Sequence, residues 1–135
     1  MRKTITAAFL LAIFGPAVAD DVSDADRLLC SASEVTVCFE SSECVDVMPW
    51  ELDMPQFVIV DLKKKTLSTT KASGENRSTP INYLLREDQE IILQGVEAGR
   101  AFSFVIDELT GLLTVAVARD GMSVSVYGAC TDANL

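Results

Sequence analysis

From Leu28 to Cys130 the apolar residues of this chain mostly recur at every second position, with no long stripe at helical spacing. That period is the mark of β-strands, whose successive side chains point to opposite faces of a sheet. Val35, Val37 and Phe39 alternate with Thr36 and Cys38. Phe102, Phe104 and Ile106 share one face, with Ser103 and Asp107 on the other. Leu109-Thr110-Gly111 turns the chain, and Leu113, Val115 and Val117 return. Arg119-Asp120-Gly121 supplies a second tight turn, after which Val124 and Val126 share a face with Gly128 and Cys130. Two successive hairpins make an antiparallel meander. Phe57 to Val60 is apolar on both faces, as expected of a central or doubly covered strand, and Ile91 to Val96 is another mostly apolar run. The pattern predicts an all-β fold, a small antiparallel barrel or sandwich of about eight strands.

The ends of the chain read differently. Arg2 and Lys3 precede an apolar run from Ile5 to Phe14, Gly15-Pro16 breaks it, and Ala17-Val18-Ala19 forms an A-x-A site before Asp20. This is the layout of a secretory signal peptide over residues 1–19. Residues 20–27 form an acidic N-terminal segment expected to fray or to cap a short helix. Residues 28–131 are read as one β domain and 132–135 as a tail. Cleavage after Ala19 leaves 116 residues, 20 acidic against 9 basic, and moves the net charge from −9 to −11. That charge argues against nucleic acid and anionic membranes as partners and is compatible with a cationic protein. No later run approaches the ~18 apolar residues of a membrane span, so no membrane insertion is expected after cleavage.

Four cysteines, Cys30, Cys38, Cys44 and Cys130, lie in the part that survives cleavage. An even count in an exported chain implies disulfides, with three possible connectivities. Cys38–Cys44 is favoured, clamping the segment between them, which leaves Cys30–Cys130 to tie the first strand to the last. Spacings of 8, 6 and 86 residues and the lack of C-x-x-C do not suit a zinc ribbon or a redox motif.

The chain has no histidine. Ser-His-Asp and Cys-His nucleophile systems, histidine metal ligands and an imidazole pH switch are thereby excluded. Ser68-Thr69-Thr70-Lys71 matches S-x-x-K, but that motif needs Ser and Lys on one helix face, and it falls here at the end of a hairpin. Glu87-Asp88 with Glu90 reads as a polar turn. Gly95-Val96-Glu97-Ala98-Gly99 reads as a turn rather than a membrane G-x-x-x-G. Lys63-Lys64-Lys65 reads as a solvated hairpin tip that blunts edge pairing. The polar segment 71–80 reads as a loop, and its sequon Asn76-Arg77-Ser78 matters only in a eukaryotic secretory route.

There is a faint internal repeat. Phe57 to Ser68 resembles Phe102 to Thr114: an aromatic and β-branched strand ends in Asp (Asp61, Asp107), with Leu six residues on (Leu67, Leu113). An Asp there accepts hydrogen bonds from N–H groups ahead of it, so both are read as turn residues rather than catalytic acids. With the late Gly128-Ala129-Cys130, the signal segment and the N-terminal cysteine-bearing strand, this layout resembles a group of small, uncharacterised exported bacterial β-proteins. The resemblance covers most of 28–131 and implies a fold; it supplies no catalytic residues.

The most unusual composition is Val45 to Pro55, with the only Trp, two Pro, two Met and three acids. Prolines discourage ladder pairing, so a surface connection is expected. Trp50 has two readings there. The simpler is that it folds down to plug one end of the core. The other is that Asp46, Met48, Trp50, Glu51 and Asp53 form a binding surface for a cationic protein or a small ligand. The chain thus reads as a non-catalytic exported β-domain that binds a protein or small ligand, in the periplasm of a diderm bacterium or otherwise outside the cell. A lysozyme-inhibitor-like role, a passive structural or stress role and a small carboxylate-dependent hydrolase are the alternatives. No cofactor and no metal are expected.

Overall fold

The computed structural model describes residues 20–134, so the expected signal segment 1–19 lies outside the described residues. The chain folds into ten strands: β1 (Arg27–Phe39), β2 (Cys44–Val47), β3 (Phe57–Asp61), β4 (Thr66–Thr69), β5 (Ser78–Pro80), β6 (Tyr83–Glu87), β7 (Glu90–Glu97), β8 (Arg100–Asp107), β9 (Leu112–Arg119) and β10 (Met122–Asp132). Two short 3₁₀ turns, Pro49–Leu52 and Lys71–Ser73, are the only helical elements among the described residues. The strands form one antiparallel sheet in the order β5-β4-β3-β1-β10-β9-β8-β7-β6, with β2 added beside β1. It curls into a half-barrel, as the alternation predicted. The terminal strands β5 and β6 are joined by Ile81-Asn82 alone. Ile81 N–H donates to the Lys65 carbonyl (2.8 Å) and Asn82 N–H to the Gln94 carbonyl (2.9 Å), so this short run links the two ends of the curl.

Alternation explains the core strand by strand. Ile91 and Leu93, then Phe102, Phe104 and Ile106, then Leu113 and Val115, then Val124, Val126 and Cys130 all point inward and are buried. β1 needs one extra device. Its inward residues are Leu28 and Cys30 in the first half, but Val35 and Val37 in the second. Those pairs are out of phase, and a bulge at Ser33 corrects the phase: Ala32 faces Gly128 and Glu34 faces Tyr127, leaving Ser33 unpaired. There β1 also exchanges partners, pairing with β3 through Ser31 and with β2 from Val35. Gly128 is required by this bulge, because a Cβ there would lie 1.9 Å from the Ser31 carbonyl oxygen.

Both disulfides form as favoured from the sequence. Cys30 and Cys130 face each other across β1 and β10 with Cα atoms 4.0 Å apart, and Cys38 and Cys44 across β1 and β2 at 4.1 Å. The Asp-turn reading also holds. Asp61 Oδ1 accepts from the N–H groups of Lys63 and Lys64 (3.1 and 2.9 Å), and Asp107 Oδ1 from those of Leu109 and Thr110 (2.9 and 3.1 Å). The next residue is buried in each hairpin, Leu62 in one and Glu108 in the other.

Four sequence expectations are corrected. The segment after Asp20 does not fray: Val22 and Ala25 enter the core, and Val22 N–H donates to the Glu108 carbonyl at 2.7 Å. Arg86 fastens this segment, donating to the carbonyls of Ala25 (2.9 Å), Val22 (3.2 Å) and Ser23 (2.6 Å) while pairing with Glu108 Oε1 at 2.6 Å. The result is a plug that closes the end of the half-barrel carrying the β3–β4, β6–β7 and β8–β9 turns. The connection expected over 45–55 begins later, because Val45–Val47 belong to β2. The loop expected over 71–80 stops at Arg77, and Ser78–Pro80 pair with β4. The turn expected over 95–99 is only Ala98-Gly99, with Gly95 to Glu97 continuing β7.

Candidate functional site

The other end of the half-barrel is not plugged by core residues. Here the walls diverge around a cavity of about 130 Å³. Its floor is apolar, built from the inward faces of β8, β9 and β10 (Phe102, Phe104, Leu113, Val115, Val117 and Val126), with Val58 and Leu67 opposite and the Cys30–Cys130 bridge in the wall. Phe102 and Phe104 meet edge to face, ring centroids 5.8 Å apart. Gly95 makes room for them: it is the cross-strand partner of Phe102, and a Cβ on it would sit 2.5 Å from the tip of that ring.

The mouth is polar and partly roofed. Asp53, Met54, Pro55 and Gln56 cross it from one side, and Arg77, Glu97 and Arg100 line it from the other. The roof is held by its own short-range order. In the 3₁₀ turn, residues three apart share a side. Pro49 is therefore buried on the side where Leu52 packs against the core, followed by Met54. Met48 N–H donates to Glu51 Oε2 at 2.7 Å and closes the start of the turn. Asp53, at φ 54°, ends it. Arg77 then latches the roof to the wall: Nη1 donates to the Asp53 carbonyl (3.1 Å) and Nη2 pairs with Glu97 Oε1 (3.3 Å). Glu97 and Arg100 flank the Ala98-Gly99 turn as register partners, so both lean into the mouth. Among the described residues the Arg100 side chain makes no ion pair and no hydrogen bond, although it is half-buried.

The residues singled out in the sequence fall around this roof without converging on one point. Asp46 lies on β2 and accepts from the Thr36 hydroxyl at 2.8 Å. Glu51 caps the turn, and Asp53 offers its backbone to Arg77. Met48 and Trp50 stand outward, 54% and 68% exposed. The expectation that Trp50 plugs the core is overturned: the turn points Pro49 and Leu52 inward, so Trp50 must point away. Sequence reasoning missed Arg77, Glu97 and Arg100. Arg77 falls within the polar loop read over 71–80 and Glu97 within the turn read over 95–99, while Arg100 lies just outside that turn. The usable signal was Gly95, an inward glycine opposite a Phe, which marks space reserved inside a strand.

The two carboxylates that lean inward, Glu97 and Glu108, sit at opposite ends of the half-barrel, each beside an arginine, so they do not form a pair. Among the described residues no group of three or more Cys, Asp or Glu side chains is placed to hold a metal ion, and no helix is long and apolar enough to cross a membrane. No known protein family, curated protein or solved structure matches this chain. Two disulfides are consistent with an oxidising, exported compartment.

Proposed function

We propose that this chain is an exported, non-catalytic β-domain that takes the apolar body of a small molecule into the open end of its half-barrel, and that it works in the periplasm of a diderm bacterium after removal of residues 1–19. It belongs in this reading with the small exported bacterial β-proteins that it resembles. The observation that carries the reading is the apolar cavity beneath a latched roof. One end of the fold is closed by the buried Val22 and Ala25, and the other keeps a space walled by Phe, Leu and Val side chains. Barrel mouths are common sites for small ligands; an enclosed apolar cavity of about 150 Å³ takes benzene, and this one, at about 130 Å³, is slightly smaller but opens at its mouth, where a substituent can extend. Toluene is the direct probe. Saturating toluene should raise the melting temperature with a concentration dependence set by mass action. Val115→Phe, which fills the floor, should abolish that rise while the far-ultraviolet circular dichroism stays β-type. The lack of any thermal response of the unmodified protein, to toluene and to the one-ring probes with polar head groups named below alike, overturns the reading.

A second reading rests on a different observation, the outward Met48 and Trp50 with Asp46, Glu51 and Asp53 nearby. An exposed aromatic among acids suits a cationic protein, a basic lysozyme among them. Inhibition of a basic lysozyme at low salt, lost on Trp50→Ala with Met48→Ala, would support it. Equal lysozyme activity with and without the protein removes it.

A further inference from the structure

We infer that the ligand of the open end is a small amphiphile with one anionic group, a carboxylate, seated against Arg100 while its apolar body enters the cavity. This rests on the small-ligand reading and adds the chemical class. Three observations carry it. First, the mouth holds two guanidinium groups with different engagements. Arg77 spends its nitrogens on the Asp53 carbonyl and Glu97, whereas Arg100 has no side-chain partner among the described residues. Second, Arg100 lines the cavity itself, directly above Phe102 on the same strand face. Arg100 is half-buried as a residue, and a guanidinium drawn from water without a partner has nothing to replace the hydration it loses. An arriving carboxylate restores those hydrogen bonds, and the planar fork of Arg matches its two oxygens. Third, Glu97, the register partner of Arg100 across the Ala98-Gly99 turn, pairs with Arg77 and not with Arg100. The cavity of about 130 Å³ limits the apolar body to roughly one ring.

Three probes sharing one ring isolate the head group: phenylacetate, phenylacetamide and phenethylammonium, titrated by calorimetry at low salt into the mature protein. Phenylacetate should bind at least about tenfold tighter than the amide, the range of a charge-assisted hydrogen bond. Arg100→Met keeps the stem and removes the charge. It should erase the preference for the acid and leave the amide unchanged, and Arg100→Lys should retain part of it. Equal binding of acid and amide, tighter binding of the ammonium, or an acid preference that survives Arg100→Met would each overturn the inference. In those cases toluene binding still stands or falls separately. If toluene and all three probes fail, the small-ligand reading itself has failed.

Discussion

The two ends of the half-barrel are built from the same parts and finished in opposite ways. Each has an arginine beside an inward glutamate and a chain segment lying across the opening. At the closed end Arg86 makes four bonds, those to Glu108 and to the Ser23 carbonyl both at 2.6 Å, and the covering segment contributes Val22 and Ala25 to the core. At the open end Arg77 makes two bonds of 3.1 and 3.3 Å, and the roof leaves a cavity beneath it. A saturated arginine fixes structure. A lightly held one next to a second, unengaged arginine leaves chemistry available. The same small sheet is thus fixed at one end and keeps space and unengaged polar groups at the other.

The largest effect should come from the wall that both ends share. Cys30→Ala with Cys130→Ala opens a bridge spanning 100 residues of sequence, which the chain-entropy model values at about 4.7 kcal/mol. Cys38→Ala with Cys44→Ala opens a bridge across 6, for which the same model gives about 2 kcal/mol. Urea unfolding of the two variants checks both the order and the gap. Equal losses would mean that the native wall, and not loop closure, sets the cost.

Next is the closed end itself. Arg86→Met leaves Glu108, 11% exposed, without its partner and removes donors from three carbonyls. The expected loss is about 3 kcal/mol, at the lower end for a broken buried pair because Arg86 is itself 30% exposed. The molecule also suggests the repair. The residue equivalent to Glu108 in the β3–β4 hairpin is the buried Leu62. Arg86→Met combined with Glu108→Leu should therefore recover most of the loss, since an apolar replacement of a buried pair is often neutral or better. A double variant as unstable as Arg86→Met alone would show that the carbonyl contacts, not the ion pair, hold the plug.

How much of this was legible follows the same division. Inward alternation named the walls, and the cysteine spacing named the bridges, because strand period and loop closure are local properties of a sequence. The bulge was not seen, although Leu28 and Cys30 are out of phase with Val35 and Val37; only the buried faces reveal that a residue must be skipped. The acidic stretch 20–26 looked incapable of packing because composition hides what two small apolar residues do when an arginine 60 residues on collects their carbonyls. The composition of 45–55 drew attention to the segment that forms the roof. It pointed to Trp50, the side facing solvent, whereas Arg77 meets the local pair Glu97 and Arg100 only through the long-range fold.

A smaller effect belongs to the latch. Arg77→Met should cost less than about 1 kcal/mol, as expected of a partly exposed pair with ordinary geometry. Its consequence is local: faster amide hydrogen exchange at Met48, Glu51 and Asp53, whose N–H groups are bonded within the roof, with the β8–β9 ladder unchanged. Uniformly faster exchange across both ends would break the contrast between a fixed end and a latched one.

The smallest effect lies at the closed end and reports whether the plug stays docked. The Ser23 hydroxyl and N–H both donate to Asp21 Oδ1, and they hold its carboxyl below the ordinary Asp value. Since the folded value lies below the unfolded one, the stabilisation is present above the unfolded value and is lost as pH falls through the folded one. Asp21 is fully exposed, so the measure is its own NMR titration and not a shift in stability. Its midpoint should lie below the ordinary Asp range. Ser23→Ala should raise it only in part, because the backbone N–H donor remains. Arg86 reaches the Ser23 carbonyl, so Arg86→Met should also raise the Asp21 midpoint if the turn depends on the docked segment. An unchanged midpoint in Arg86→Met would mean that the Asp21–Ser23 turn forms by itself, and that the closed end is fastened by Val22 and Ala25 burial rather than by its arginine.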